Sequence, residues 1–367
     1  MKKPNFRKIK NGVDKDFFWG KRPIRLEINT KSIGKEVIEM IRKKCIFLGV
    51  LAGLGIALLR PEMALFAQAK YPTKAIELVV AFSPGGGSDA VARIMGKYLS
   101  AQLDVPINIV NKPGGNQIPA VLSVLNARAD GYILLQELNT TSSLQTMVKD
   151  LPYKLGDRTY GPMMVEGPMV IVANGKSPWN SLKDVIEAAK KDPSSFTWGR
   201  LGGTATADLT IMKLLLAGGV DITKTKPVGF PGTGPAVTAV GGGHIMLASD
   251  GAASVIPLQS SGIVKALAVT GDKRLASMPD VPTTKEVGFP SVDVITWFGI
   301  SGPKDLPKSV VDRLDAAAKK VVENPDFAKY LEAIGRYPRY ISPDQTRDYV
   351  FKEAEGYKLF FSQIPSK

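Results

Sequence analysis

The residues with the clearest chemical potential form the segment 83–89, which reads Ser-Pro-Gly-Gly-Gly-Ser-Asp. Its three glycines let another group approach the backbone closely, and Ser88 or Asp89 can cap a following helix. The unpaired N–H groups at a helix start, together with the positive end of the helix dipole, favour an anion. The segment matches neither the phosphate-binding loop nor the dinucleotide fingerprint, so a tight turn without a ligand is an equal alternative at this point.

Two later segments repeat this arrangement of small residues before a helix. Residues 200–208 read Arg-Leu-Gly-Gly-Thr-Ala-Thr-Ala-Asp, and residues 231–234 precede Pro235, a residue favoured at the first position of a helix. Asn139 and Asp250 follow other predicted strands. Because ligands of doubly wound sheets collect beyond the carboxyl ends of the strands, these segments predict a binding site for a small anion.

An enzyme is the main alternative to a binding protein. Its acid–base or nucleophilic chemistry would depend on His244 or on the pair Asp89 and Asp250. We predict a structural or exposed role for His244 and a capping role for Asp89, and no catalytic residue, metal or cofactor. The single cysteine, Cys45, lies in the N-terminal segment, so the chain after residue 69 has no thiol nucleophile, disulfide or cysteine metal site.

The elements that hold these segments alternate between apolar runs and helical patterns, which is typical of parallel sheets with crossover helices. After the run at 76–82, the spacing of Val91, Ile94, Met95, Tyr98 and Leu99 predicts a helix with one buried face. Three further helices are predicted after about residue 307, at 307–321, 327–334 and 343–360. The other predicted strands are 107–110, 132–136, 169–173, 196–199, 227–230, 245–248 and 265–269.

The formal net charge of +14 is concentrated at the N-terminus. Residues 1–69 carry 15 Lys and Arg against 6 Asp and Glu, whereas the rest of the chain has a net charge of only +5. This modest excess has no interleaved aromatic residues, so nucleic-acid binding is not expected.

The N-terminal segment has the features of a signal peptide. A basic patch at 42–44 precedes an apolar run of 14 residues at 46–59, which is shorter than the roughly 20 residues of a membrane span, and Ala67-Gln68-Ala69 supplies a small-residue cleavage motif. We predict a signal peptide at 40–69, cleavage after Ala69 and a periplasmic location. Residues 1–39 are interpreted as a misannotated leader or disordered extension.

A series of short motifs matches, in order and spacing, those of a known family. The motifs are Tyr71-Pro72, 84–89, 111–114, 130–132, 232–236, 242–243, 265–269, Arg274, 279–283, 286–288 and 297–299. Over about residues 70–335 the chain resembles the periplasmic solute-binding proteins of tripartite tricarboxylate transporters, the TctC or Bug family.

The resemblance implies a two-lobed α/β fold of the Venus-flytrap type, with a ligand cleft between two doubly wound domains. Lobe 1 would comprise 70–171 and 295–367, and lobe 2 would comprise 172–294. It also implies a monomer that binds a carboxylate and delivers it to one large and one small integral membrane subunit driven by an ion gradient. A receptor that signals to a membrane sensor is the alternative.

The resemblance and the helix starts together give the predicted ligand contacts. One departure from the family pattern is Asp208, and another is Arg200, which we hypothesise to pair with a second ligand carboxylate; a solvated surface arginine is the alternative. The predicted ligand-binding residues are Ser83, Gly85, Gly86, Gly87, Ser88, Asp89, Asn139, Arg200, Gly203, Thr204, Gly232, Thr233, Gly234, Ala236 and Asp250.

Overall fold

The computed structural model describes residues 39–40 and 71–364. Apart from residues 39–40, the predicted leader, the signal peptide and the cleavage point after Ala69 lie outside the described residues. The described residues 71–364 belong to one compact unit. None of the described helices is long and apolar enough to cross a membrane.

Strands and helices alternate along most of residues 71–364. The strands are β1 (Ile76–Val80), β2 (Ile107–Asn111), β3 (Ile133–Leu138), β4 (Arg158–Pro168), β5 (Val170–Asn174), β6 (Thr197–Arg200), β7 (Lys226–Gly229), β8 (Leu247–Asp250), β9 (Val264–Val269), β10 (Ile295–Pro303) and β11 (Tyr337–Ile341). The helices are α1 (Gly87–Leu103), α2 (Ile118–Leu125), α3 (Leu182–Lys191), α4 (Thr206–Ala217), α5 (Thr233–Gly241), α6 (Ala252–Ser260), α7 (Lys308–Val322), α8 (Pro325–Ala333) and α9 (Pro343–Ser362).

The strands form two sheets. The first has the order β11-β4-β10-β3-β1-β2, and the second has the order β7-β6-β8-β5-β9. Within the first sheet β1 pairs in parallel with β2 and β3, and within the second β6 pairs in parallel with β7 and β8. The carboxyl ends of these parallel strands therefore lead directly into the starts of α1, α4 and α5.

The chain crosses between the sheets twice, and the crossing strands run antiparallel to their neighbours. It leaves the first sheet between Pro168 and Val170 and enters it again at Ile295. Residue 295 is also where the sequence predicts the return to the first lobe. The predicted division after residue 171 falls inside β5, because Val170 already pairs with Asp250 and Val269 of the second sheet.

Each strand predicted from the sequence is present, with its ends shifted by one or two residues, and the three C-terminal helices are present as well. The sequence did not predict β4, β10 or β11. Pro162 interrupts the apolar pattern of β4, and Gly299 and Gly302 interrupt that of β10, so neither reads as a regular strand.

Contacts outside the crossing strands also tie the sheets together. The loop and first turn of α4 pack into the core of the first sheet through Leu201, Ala205 and Ala207. At the other side of the molecule, Phe360 and Phe361 of α9 pack against the cores of both sheets. The sheets are therefore closed upon each other in this structure.

Candidate functional site

The loop after β1 leads to a helix start whose amides have no internal partner. Gly86 is the N-cap residue of α1, and no side chain caps the helix. Gly85 has a φ of +79°, a conformation that favours glycine. Among the described residues, no oxygen accepts a hydrogen bond from the amides of Gly86, Gly87 or Ser88. These amides and the helix dipole are available to an anion.

The start of α5, which belongs to the second sheet, lies against this loop. Gly232 is its N-cap residue, and the first turn of α5 contains no acidic residue. A Cβ atom added to Gly86 would lie 4.0 Å from Thr233 Oγ1, and one added to Gly232 would lie 3.6 Å from Ser83 Oγ. Two helix starts, one from each sheet, thus converge on the same gap.

A cavity of about 740 Å³ occupies the outer part of this gap. Its far wall is formed by α6 and by His244, which is exposed at the rim. The predicted site residues that line it are Ser83, Gly85, Gly86, Ser88, Gly232, Thr233 and Gly234.

A second cavity of about 20 Å³ continues inwards and shares Phe82, Ser88 and Thr233 with the first. This volume is room for about one water molecule. The inner cavity is lined by apolar side chains and by a few polar ones. Its polar lining residues are Ser88, Thr140, Thr206, Thr233, Thr296, Asp250 and Arg336.

Asp250 reaches the inner cavity from the end of β8. Its carboxylate accepts hydrogen bonds from the Gly251 amide at 2.7 Å and from the Ser254 hydroxyl. A Cβ atom added to Gly87 would lie 3.2 Å from Asp250 Oδ1, so this carboxylate of the second sheet comes close to the start of α1. Burial raises the pKa of Asp250, which its hydrogen bonds and Arg336 oppose.

Arg336, just before β11, brings a positive charge to the same place. Its side chain is buried, with 3% of the residue exposed, and the guanidinium lies 5.3 Å from the centroid of the Phe298 ring. Burial lowers the pKa of Arg336 to about 10, and the nearby Asp250 opposes this decrease. The guanidinium is therefore charged at neutral pH. The sequence analysis did not single out Arg336, because only its contacts with Gly87 and Gly251, far away in the chain, reveal its position.

Asp89 points away from both cavities. Its carboxylate accepts hydrogen bonds from the Gly85 amide at 3.0 Å, from Arg93 Nε at 2.9 Å and from Asn111 Nδ2 at 3.0 Å. Asp89 therefore fixes the shape of the loop from behind, which fits the predicted capping role better than a ligand contact.

The segment before α4 differs from the other two, because several of its loop amides are already bound by an internal carboxylate. Asp208 accepts hydrogen bonds from the amides of Leu201, Gly203 and Ala205 at 2.7, 2.6 and 3.3 Å. The amide of Thr206 donates to Thr140 Oγ1 of the first sheet at 3.3 Å. The loop amides are therefore occupied, although the first turn of α4 still lines the inner cavity through Ala205, Thr206 and Ala207.

The remaining predicted residues line neither cavity. Arg200 is exposed and lies over Gly203, outside the gap, and Thr204 faces Asn116 across the sheets at 3.4 Å. Ala236 is buried in a core of the second sheet.

Asn139 is part of a buried network that joins β3 to β10 and α9. It donates to Glu353 Oε1 at 2.6 Å and accepts from the Trp297 amide at 3.2 Å. Its side chain supports the neighbouring Thr140 and does not itself face the cavity.

Within the residues that the structure describes, no group of three or more His, Cys, Asp and Glu side chains converges on a point where a metal ion could sit. The two carboxylates nearest the gap, Asp89 and Asp250, are held by hydrogen bonds, and His244 stands at the outer rim.

Comparison with known proteins gives a consistent result. The family model described as "Tripartite tricarboxylate transporter family receptor" matches residues 91–363. Among curated relatives, protein BugT of Bordetella pertussis is 27% identical over 290 residues, which cover 78% of this chain and 87% of BugT.

Solved structures of similar proteins include the periplasmic binding protein BugD, with a TM-score of 0.75 and 28% identity over 80% of this chain and 98% of that chain. MatC from Rhodopseudomonas palustris, with bound malate, has a TM-score of 0.72 and 26% identity over 78% of this chain and 98% of that chain. The predicted two-lobed α/β fold is confirmed by these similarities.

Proposed function

The chain belongs to the tripartite tricarboxylate transporter family of solute receptors, and from this premise we propose that it binds a small carboxylate between the starts of α1 and α5. It delivers this ligand to the membrane subunits of an ion-gradient-driven transporter, for which one large and one small subunit are the expected partners. It acts as a monomer and without chemical turnover of the ligand.

One observation carries the proposal. The amides of Gly86, Gly87 and Ser88 have no acceptor among the described residues, and Gly86 lies against the start of α5, which carries no acidic residue in its first turn. Two dipole ends and several free donors on a cavity of about 740 Å³ suit an anion of a few carbon atoms. The malate bound by the similar protein MatC is an anion of this kind.

Closure of the two sheets around the ligand is part of the proposed function. The inner cavity has room for about one water molecule, so a ligand that reaches it must enter while the sheets are further apart. The crossings at Pro168–Val170 and between β9 and β10 are the connections about which such a hinge motion would turn.

The family and the N-terminal sequence support a site of action outside the cytoplasm. Periplasmic binding proteins such as BugD are its structural relatives. We place this receptor outside the cytoplasm, after cleavage behind Ala69, and N-terminal sequencing of the exported protein would identify the cleavage point.

The test is a thermal-shift screen of the purified chain against mono-, di- and tricarboxylates, each paired with its uncharged amide. Because a ligand that binds only the native state raises the melting temperature, we expect at least one acid to raise it and its amide to have no effect. An absence of any shift with every acid would contradict carboxylate binding.

Delivery is distinguished from sensing in cells. Deletion of the protein should abolish uptake of the labelled acid identified in the screen. Normal uptake together with a lost transcriptional response would instead point to a sensory receptor. NMR of the acid after prolonged incubation with the protein should show it unchanged, whereas a new product would indicate an enzyme.

A further inference from the structure

The guanidinium of Arg336 is buried with few partners. Nη1 donates to the Pro168 carbonyl oxygen at 2.9 Å, and this is its only hydrogen bond to the described residues. A guanidinium has five N–H donors, and leaving such a charge buried without partners costs several kcal/mol. The group lines the inner cavity, so its unused donors border a space that adjoins the outer cavity.

Asp250 does not satisfy this charge. It approaches Arg336 closely enough to influence its pKa, yet the two form no ion pair, and the carboxylate is engaged by the Gly251 amide and the Ser254 hydroxyl. Among the described residues, no other carboxylate reaches the guanidinium either. A negative group from outside the chain is the partner that would complete this site.

The position of Arg336 relative to the helix starts limits how the ligand is built. A Cβ atom added to Gly87 would lie 3.9 Å from Arg336 Nη2, so the guanidinium is next to the first turn of α1. Between it and the outer cavity lie Phe82 and Ser88, which line both spaces. A short carbon chain is enough to connect a group at the amides with a group at Arg336.

We infer that Arg336 binds a second acidic group of the ligand, so that this receptor selects small acids with two acidic groups on a short chain. One group is held by the amides of Gly86, Gly87 and Ser88 and by the start of α5, and the other is held by Arg336. Phe298, under the guanidinium, keeps it in position. The inference rests on the proposed function.

The test compares acids of equal chain length by calorimetry: succinate with butyrate, glutarate with pentanoate, and adipate with hexanoate. The wild-type protein should prefer the diacid in at least one pair. In Arg336→Met the affinity for that diacid should fall about 30-fold while the affinity for the monoacid changes less than about threefold, because one charge-assisted, bidentate contact is lost. Arg336→Lys should fall in between, since it keeps the charge without the planar fork.

Two further variants guard against indirect effects. Arg200→Met removes an exposed arginine of the same size outside the gap and should leave both affinities unchanged. Gly251→Ala keeps the Arg336 charge, but its Cβ would collide with Nη2 and displace the guanidinium, so it should reproduce the selective loss of the diacid.

If Arg336→Met does not fold, Arg336→Met combined with Asp250→Asn removes both buried charges and serves for the same comparison.

The outcomes separate this inference from the proposed function. An equal loss of both acids in Arg336→Met, an unchanged affinity for the diacid, or a wild-type protein that binds both members of every pair equally well would overturn the role of Arg336 and leave carboxylate binding intact. If the wild-type protein bound no acid in the thermal-shift screen, the proposed function itself would fail.

Discussion

The helices α4 and α5 both follow a strand of the second sheet after a loop of small residues, yet their starts are used in opposite ways. At α4, Asp208 lies at the third helical position and takes the amides of Leu201, Gly203 and Ala205. At α5 the third position is Pro235, and the first turn has no acidic residue. The amides of the loop before α4 are bound by the chain's own carboxylate, whereas the start of α5 lines the outer cavity without such a carboxylate.

The start of α1 is intermediate between those of α4 and α5, and it shows what decides whether the amides stay available to a ligand. Asp89 also lies at the third helical position, but its oxygens are taken by one amide and by the side chains of Arg93 and Asn111. The amides nearest the gap thus stay available. An anion site needs a helix start together with the absence of an internal carboxylate that reaches the same amides.

The largest effect is expected where the internal carboxylate is removed. Asp208→Ala leaves three buried amides without an acceptor and should lower the free energy of unfolding by about 3 to 5 kcal/mol, measured by urea denaturation. The control is Asp184→Ala at the exposed start of α3, where Asp184 accepts from the amides of Asn180 and Ser181. Water can replace that carboxylate, so its loss should be much smaller, and equal losses in the two variants would contradict the comparison.

A smaller effect is expected when α5 is made to resemble α4. Pro235→Asp supplies an internal carboxylate at the third helical position, next to the cavity that Pro235 lines. It should lower the affinity for the best acid of the thermal-shift screen at least about tenfold, because the new charge competes for the amides and repels the ligand. The asparagine side chain has nearly the shape of aspartate but no charge, so Pro235→Asn should bind the same acid almost as tightly as wild type does. Similar losses in both variants would show that the proline ring, and not the missing charge, matters.

The smallest effect is a difference in pH dependence between Asp208 and Asp89. Burial raises the pKa of Asp208 to about 6, against the pull of its three amide donors. Burial alone would raise the pKa of Asp89 too, but the hydrogen bonds from Arg93, Gly85 and Asn111 outweigh it and lower the pKa.

The sign of each contribution follows from these directions. Asp208, whose pKa is raised in the folded state, stabilises the fold below its unfolded pKa of about 4, and this stabilisation is lost as the pH rises through about 6. Asp89, whose pKa is lowered in the folded state, stabilises the fold above about pH 4, and this stabilisation is lost as the pH falls. Urea denaturation between pH 3 and 7 should therefore show that the free energy of unfolding of wild type, relative to that of Asp208→Asn, increases as the pH falls. Relative to that of Asp89→Asn, it should decrease as the pH falls. Slopes of the same sign would contradict this assignment.

The parts of the fold that depend on local patterns could be predicted from the sequence. The apolar runs before the glycine loops became parallel strands, and β1, before the loop at 83–89, has only one exposed position to interrupt its apolar pattern. The glycine loop at 83–89 and the loop at 231–234 were predicted as an anion site, and their residues meet at one cavity.

What could not be predicted depends on contacts between distant residues. Gly203 and Thr204 look as suitable as Gly232 and Thr233 in the sequence, and only the path of the loop brings its amides to Asp208. Arg336 has no neighbouring motif, and its place at the cavity results from the pairing of β11 with β4, a strand that the sequence did not reveal.

The end of α9 links the two sheets in addition to the two strand crossings and the contacts of α4. Phe360 and Phe361 touch the cores on both sides, and Lys213 of α4 lies 5.9 Å from the centroid of the Phe360 ring. Because these links restrain the two sheets, we expect their relative movement on ligand binding to be smallest close to the links. A fluorescent label attached near Phe360 should therefore report the smallest movement on solute capture, and a label attached near His244, at the outer rim, should report the largest.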